Sequence, residues 1–117
     1  MAERERLICE SAALAECGKG VRFEIASAPG EEKGFVIRHF GAVRGYVNRC
    51  PHTGTELDWQ PGEFFDLAGL YLLCSTHGAI FEPKTGLCVA GPCRGASLES
   101  LAVREQGGQV VLLDDEP

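Results

Sequence analysis

Two short stretches decide how this chain is read. The first is NRCPHTGTELDW, Asn48 to Trp59, and the second is LLCSTHGAIF, Leu72 to Phe81. Each sets one cysteine and one histidine close together: Cys50-Pro51-His52, then Cys74-Ser75-Thr76-His77. The chain has only three histidines, and two of them sit in these pairs. A hydrophobic core has no need of such pairing; a metal site does.

The segments around the pairs read as strands. VRFEIA (Val21 to Ala26) alternates apolar and polar residues, the period-two sign of a half-buried strand. GFVIRHF (Gly34 to Phe40) is rich in β-branched and aromatic residues, and VRGYVN (Val43 to Asn48) follows Gly41-Ala42, which predicts a hairpin. LYLLC (Leu70 to Cys74) and GAIFE (Gly78 to Glu82) flank the second pair. GLCVAG (Gly86 to Gly91), LESLAVRE (Leu98 to Glu105) and QVVLLD (Gln109 to Asp114) complete the set. Turns are expected at Pro83 to Gly86 and at Gly107-Gly108. One alanine-rich segment, SAALAEC (Ser11 to Cys17), reads as a short helix with a serine cap, closing before Gly18. The prediction is an all-β domain of many brief strands with one short helix near the N-terminus. Both Cys/His pairs fall at strand-to-loop junctions, so two loops can project from one end of a sheet and present four ligands to a common centre. Gly54 and Gly78 let the backbone approach that centre.

Size and charge narrow the options. With 117 residues the chain fits one compact domain, over 1–117, and a metal centre would help to staple a core this small. The formal charge is −6, from 11 basic and 17 acidic residues, which argues against nucleic acid or an anionic membrane as partner. The opening MAERERLICE has no apolar region of the secretory kind, and no apolar run reaches membrane-spanning length. A cytoplasmic location is therefore expected, where thiols stay reduced and six cysteines serve as ligands or buried thiols rather than as a disulfide framework.

Three readings of the pairs compete. They could be ordinary core residues that happen to be adjacent, but two such pairs in glycine-containing loops after apolar strands make a poor accident. Structural zinc of the Cys₂His₂ kind pairs cysteine with cysteine and histidine with histidine at wider spacing. Here each pair mixes the two types, and Pro51 alone separates the first. A [2Fe–2S] cluster with two thiolates on one iron and two imidazoles on the other calls for mixed pairs, each loop giving a cysteine to the inner iron and a histidine to the outer.

Cys-x-His followed, after an interval, by Cys-x₂-His-Gly resembles the Rieske signature; here it is Cys50-Pro51-His52 and Cys74-Ser75-Thr76-His77-Gly78. The resemblance runs from the GYVNRC strand to GLCVAGP. It implies the Rieske fold, antiparallel sheets with a small cluster-binding subdomain over about 48–93, and one [2Fe–2S] cluster per chain. It implies as ligands Cys50, His52, Cys74 and His77, with both histidines bound through Nδ1 at an exposed tip. Pro92 in AGPC matches the family's third loop, which covers the cluster from the side. Respiratory-chain Rieske subunits carry an extra cysteine in each cluster loop, forming a disulfide; the matching positions here are Thr55 and Thr76. The serine and tyrosine hydroxyls of that branch are replaced by Ala79 and Phe81. The resemblance is therefore to soluble Rieske ferredoxins and to the Rieske domains of ring-hydroxylating oxygenases. Residues 53–73, between His52 and Cys74, form a slightly long interval whose Trp59, Phe64 and Phe65 are read as packing.

The ligand set has an electrostatic consequence. Two ferric ions, two sulfides and two thiolates sum to zero, whereas four thiolates leave the oxidised site at −2. Adding an electron to the neutral site costs less, and Rieske centres as a class span about −150 to +300 mV against about −400 mV for plant-type ferredoxins. Without the two hydroxyls, the low end, about −150 mV, is expected. The implied function is one-electron transfer from a reductase to an oxygenase or similar enzyme. The chain would be the electron-transfer component, not an enzyme on its own, with no small-molecule substrate pocket predicted. The alternative is a non-catalytic small subunit or a redox-sensing module of a larger oxidoreductase complex. Cys9 and Cys17 read as buried or idle thiols. Cys88 and Cys93, bracketing VAGP, read as packing thiols, the other option being a labile disulfide or accessory metal site. His39, in a strand, reads as a surface residue.

Overall fold

A computed structural model describes residues 4–25, 32–51, 56–58, 60, 62–66, 69–74 and 78–114. His52, Trp59 and His77 therefore lie outside the described residues. Among the described residues the strands are β1 (Arg4–Glu10), β2 (Val21–Ile25), β3 (Glu32–His39), β4 (Ala42–Val47), β5 (Leu72–Leu73), β6 (Ile80–Phe81), β7 (Cys88–Ala90), β8 (Ser100–Leu101), β9 (Val103–Gln106) and β10 (Gln109–Asp114). They form three antiparallel sheets, in the orders β1-β10-β9, β2-β3-β4-β8 and β5-β6-β7. The expected all-β architecture is observed.

Strand β3 shows why the sequence folds this way. Its Phe35, Val36 and Ile37 are all fully buried. Successive side chains of a strand point to opposite faces. Phe35 and Ile37 enter a core with Tyr46, Cys50, Leu57, Phe64, Leu72, Cys74, Phe81 and Cys88. Val36 enters a second core with Leu14 and Val110. A strand covered on both faces needs a continuous apolar run, and FVI is that run.

The predicted β3–β4 hairpin forms, one residue earlier than expected. His39 pairs with Ala42, and the turn residues are Phe40 and Gly41, at φ of 51° and 76°. Two positive φ values match a type I′ turn, whose twist suits a hairpin. Phe40 is an unusual occupant of such a position. The Glu16 carboxylate offsets the strain by accepting the N–H groups of Phe40 and Gly41, the latter at 2.8 Å. Those bonds, that to Gly41 first, lower the Glu16 pKa.

Three local expectations are corrected. The helix expected over Ser11 to Cys17 is a single 3₁₀ turn, Ser11–Ala13. Arg38 explains the difference: its Nε donates to the Leu14 carbonyl at 2.8 Å and its Nη2 to the Ser11 carbonyl at 3.1 Å. The Ser11 carbonyl keeps the turn's own bond from the Leu14 N–H at 3.1 Å, while the guanidinium, itself held by Glu105 at 2.7 Å, occupies the Leu14 carbonyl that a further turn would use. His39 is buried, not a surface residue, and its ring lies 4.2 Å from that of Phe40 and 6.2 Å from that of Phe65. The segment predicted as one strand from Leu98 to Glu105 breaks at Ala102, because Ser100–Leu101 pairs with β4 and Val103–Gln106 pairs with β10. Strand β1 was not expected at all; its register slips between Leu7 and Cys9, which blurs the alternation that marks a strand.

Candidate metal centre

The second cluster loop is a tight connection between β5 and β6. The Cys74 N–H donates to the Ala79 carbonyl at 2.9 Å, and the Cys74 carbonyl accepts from Gly78 at 2.8 Å. Gly78 has φ +74°, the left-handed region that glycine enters without a steric cost, so the chain reverses within four residues of the cysteine. Both bonds fix the Cys74 backbone at the mouth of the loop.

The first loop leaves β4 and is closed by a buried polar pair. The Asn48 side chain donates to Asp58 Oδ1 at 3.0 Å and accepts from the Leu57 N–H at 2.8 Å. Asp58 Oδ2 accepts from the Gly62 N–H at 3.0 Å, and Arg22 lies 3.6 Å from the same oxygen. Asn48 and Asp58 are only 4% and 6% exposed, so these bonds are made where an unpartnered group would be costly. The pair clamps the neck of the loop that carries Cys50 and His52. Sequence reasoning passed over both residues; the signal was an amide and a carboxylate set ten apart around a loop of ligands.

The third loop follows β7. Gly91 has φ +101°, and a Cβ built on it would lie 2.7 Å from the Ala79 Cα. Only a glycine lets this loop rest on the second one. Cys88 and Ala96 exchange a backbone bond of 2.8 Å, and the Ala96 N–H returns to the Cys93 carbonyl at 2.9 Å. Below, the buried Tyr46 hydroxyl donates to the Pro83 carbonyl at 2.6 Å, and burial pushes its pKa up to about 12.

These three loops bring Cys50 and Cys74 into one apolar cluster, both 0% exposed, with Ala79 and Phe81 also at 0%. The same cluster holds Cys88 and Cys93, whose sulfurs are 3.2 Å apart. Burial first, then contact with the Cys88 sulfur, pushes the Cys93 thiol up to about 12. Phe64 stacks on Phe35 at 3.9 Å, as its packing role predicted. Of the four predicted ligands, then, the two cysteines are brought together, and His52 and His77 lie outside the described residues. Among the described residues no group of three metal-binding side chains assembles, which accords with half of the predicted ligand set lying beyond them.

Two cysteines on separate loops, buried in a dry shell at the ends of β4 and β5, fit the thiolate half of an iron–sulfur site. Thiolates in such a shell are desolvated, and bound ferric iron compensates for their charge.

Comparison with known proteins bears on this arrangement. No curated protein sequence matches the chain. Among solved structures it is similar to a ferredoxin from Sphingomonas yanoikuyae B1, at 23% identity and a TM-score of 0.74, covering 97% of this chain and 100% of that one. It is similar to the ferredoxin of carbazole 1,9a-dioxygenase from Nocardioides aromaticivorans IC177, at 21% identity and a TM-score of 0.74, covering 95% and 98%. It is also similar to the terminal oxygenase of that system from the same organism, at 21% identity and a TM-score of 0.76; there it covers 97% of this chain and spans 31% of the oxygenase. At these identities the likeness is one of fold. The family model for the Rieske [2Fe–2S] domain matches residues 6–113, and the chain belongs to that family.

Proposed function

We propose that this chain is a one-electron carrier of the ferredoxin type, passing electrons from a reductase to an oxygenase or similar enzyme. The observation that carries the reading is the burial of Cys50 and Cys74 in one apolar cluster at the mouths of two adjoining loops, within a chain of the Rieske [2Fe–2S] family. Cys50 and Cys74 would hold the inner iron, and His52 and His77, two and three residues further on, the outer. The whole of 1–117 is read as one domain, with residues 48–93 as its cluster-binding part. When bound, the cluster supplies a site that accepts and releases a single electron. The residues of the chain do the rest. Leu57, Phe81 and Leu72, all fully buried, exclude water from the cysteine sulfurs. Asn48 and Asp58 hold the first loop shut, and Gly91 seats the third loop on the second.

An oxygenase as the acceptor is supported by the matched ferredoxin, which is that of a dioxygenase system. Among the described residues no helix is long and apolar enough to cross a membrane, and a cytoplasmic location is the reading we adopt. The test is direct. Anaerobically purified protein should contain about two irons and two acid-labile sulfides per chain, with a Rieske-type electron paramagnetic resonance spectrum after dithionite reduction. Cys50→Ser, His52→Ala, Cys74→Ser and His77→Ala should each abolish that spectrum. Stoichiometric zinc without labile sulfide would overturn the proposal, and a normal spectrum from His77→Ala would overturn the ligand assignment.

A further inference from the structure

Cys88 and Cys93 are not used by the electron carrier just described, yet they share the buried cluster that holds Cys50 and Cys74. Cys88 ends its pairing with Phe81 on β7, and Cys93 comes five residues later in the loop seated on Ala79. Their sulfurs are 3.2 Å apart, and both residues lie in the buried cluster that holds Cys50. Cys88 in turn donates to the Ala90 carbonyl at 3.2 Å.

We propose that Cys88 and Cys93 are a reversible dithiol–disulfide couple seated against Cys50, and that its thiol form gives the Cys50 sulfur a hydrogen bond from Cys93. The proposal rests on the reading of Cys50 as an iron ligand. A ligated Cys50 is a thiolate with no proton of its own. It competes with the neutral Cys88 sulfur for the Cys93 S–H, and an anionic acceptor makes the stronger bond. A donor to a ligand sulfur stabilises the reduced, more negative centre.

Oxidation removes that donor. The oxidant is a low-molecular-weight disulfide, RS–SR, acting by exchange. Cys93 is 8% exposed and Cys88 1%, so Cys93 is the entry sulfur. It attacks RS–SR, its S–R bond forms as the S–S bond breaks, and one RS⁻ leaves. Cys88 then displaces the second RS⁻ from Cys93, closing the Cys88–Cys93 bond. Two electrons pass to the reagent, which becomes two thiols, and the two cysteine protons go to the two leaving thiolates. The sulfurs need close by about 1 Å to reach disulfide length. The backbone bonds from Cys88 and Cys93 to Ala96, at 2.8 and 2.9 Å, hold the ends of the loop while this happens.

The experiment equilibrates cluster-bearing protein anaerobically with oxidised and reduced glutathione at a range of ratios. Remaining thiols are trapped with iodoacetamide, peptides are mapped by mass spectrometry, and the cluster midpoint is read by protein-film voltammetry. The expected result is one two-electron transition to a Cys88–Cys93 bridge with iron and sulfide retained. The bridged form should be harder to reduce by about threefold to tenfold, a midpoint lower by up to about 59 mV for one electron. Cys93→Ala should match the bridged form and ignore the glutathione ratio; Cys93→Ser, which keeps a hydroxyl donor, should ignore the ratio without the drop. Should Cys93→Ala fail to fold, the bridged wild type and Cys93→Ser still decide the matter. A protein lacking labile sulfide would overturn the Rieske reading and this proposal with it. A cluster-bearing protein that forms no bridge, or whose midpoint is the same with and without it, would overturn this proposal alone.

Discussion

Replacing Asn48 by alanine tests whether the neck of the first loop is held by its side chain. The change removes two buried hydrogen bonds, from Asn48 Nδ2 to Asp58 at 3.0 Å and from the Leu57 N–H to Asn48 Oδ1 at 2.8 Å. It leaves the Leu57 N–H without its acceptor and takes one donor from a carboxylate whose side chain is 0% exposed. A buried group left unsatisfied costs about 1–3 kcal/mol, more when charged, so the expected loss is about 3 kcal/mol. For a chain of this length each kcal/mol moves the midpoint by about 4 °C, which gives a fall in Tm of about 12 °C. Urea unfolding of the cluster-bearing protein, followed both by circular dichroism and by visible absorption, measures the effect. The slope with urea should not change, because the surface exposed on unfolding is the same. Cluster absorption should decay faster than in the wild type, since the break lies at the root of the ligand loop. A loss below about 1 kcal/mol with an unaltered cluster lifetime would show that the loop is held by its apolar contacts and not by this pair.

Three other outcomes are expected. The Glu105 carboxyl, bonded by Arg38, has its pKa lowered to about 2. A depressed acid pKa stabilises the fold fully above the unfolded value near 4.5 and progressively less as pH falls toward about 2. Glu105→Gln should therefore narrow its gap to the wild type across that window, in thermal melts taken from pH 6 to pH 3; a constant gap would contradict the assignment. Gly91→Ala puts a Cβ 2.7 Å from the Ala79 backbone at a φ of +101°, and it should cost about 2 kcal/mol or more in urea while shortening the cluster lifetime. The pair Ala79→Ser and Phe81→Tyr adds hydroxyls at two fully buried positions of the shell, and voltammetry should find the midpoint raised if either reaches a sulfur.

What the sequence disclosed depended on the range of the interaction. The β3 run FVI, the turns at Pro83 to Gly86 and Gly107-Gly108, and the mixed Cys/His pairs are local patterns, and each was readable. The helix at Ser11 stops after one turn because the Leu14 carbonyl is taken by Arg38, more than twenty residues away. His39 read as exposed because nothing in its own strand announces Phe65, which reaches it from the loop before β5. The break at Ala102 follows from two different sheets claiming neighbouring residues, which no single-strand pattern contains. The site divided likewise. The mixed pairs that nominate Cys50 and Cys74 are a matter of spacing, whereas the Asn48–Asp58 clamp and the 3.2 Å approach of Cys93 to Cys88 depend on how the loops fold.

The structure also separates what holds the fold from what would tune the electron. Arg38, with Glu105, Leu14, Ser11 and Gly41 as acceptors, ties the N-terminal segment to β3 and β9. Asn48 and Asp58 act at the neck of a loop, through backbone groups rather than through sulfur. Cys50 and Cys74 share their buried hydrophobic cluster with two more sulfurs, those of Cys88 and Cys93. With Ala79 and Phe81 lacking hydroxyls, the donor to Cys50 proposed above is a thiol, a weak one that oxidation withdraws. Because the Cys93 backbone is held by Ala96 independently of its side chain, changes at that sulfur should move the potential while leaving the loop in place. On the proposal made above, a thiol donor lets the potential be altered by oxidation without loss of the fold, which a hydroxyl donor at the same point would not permit.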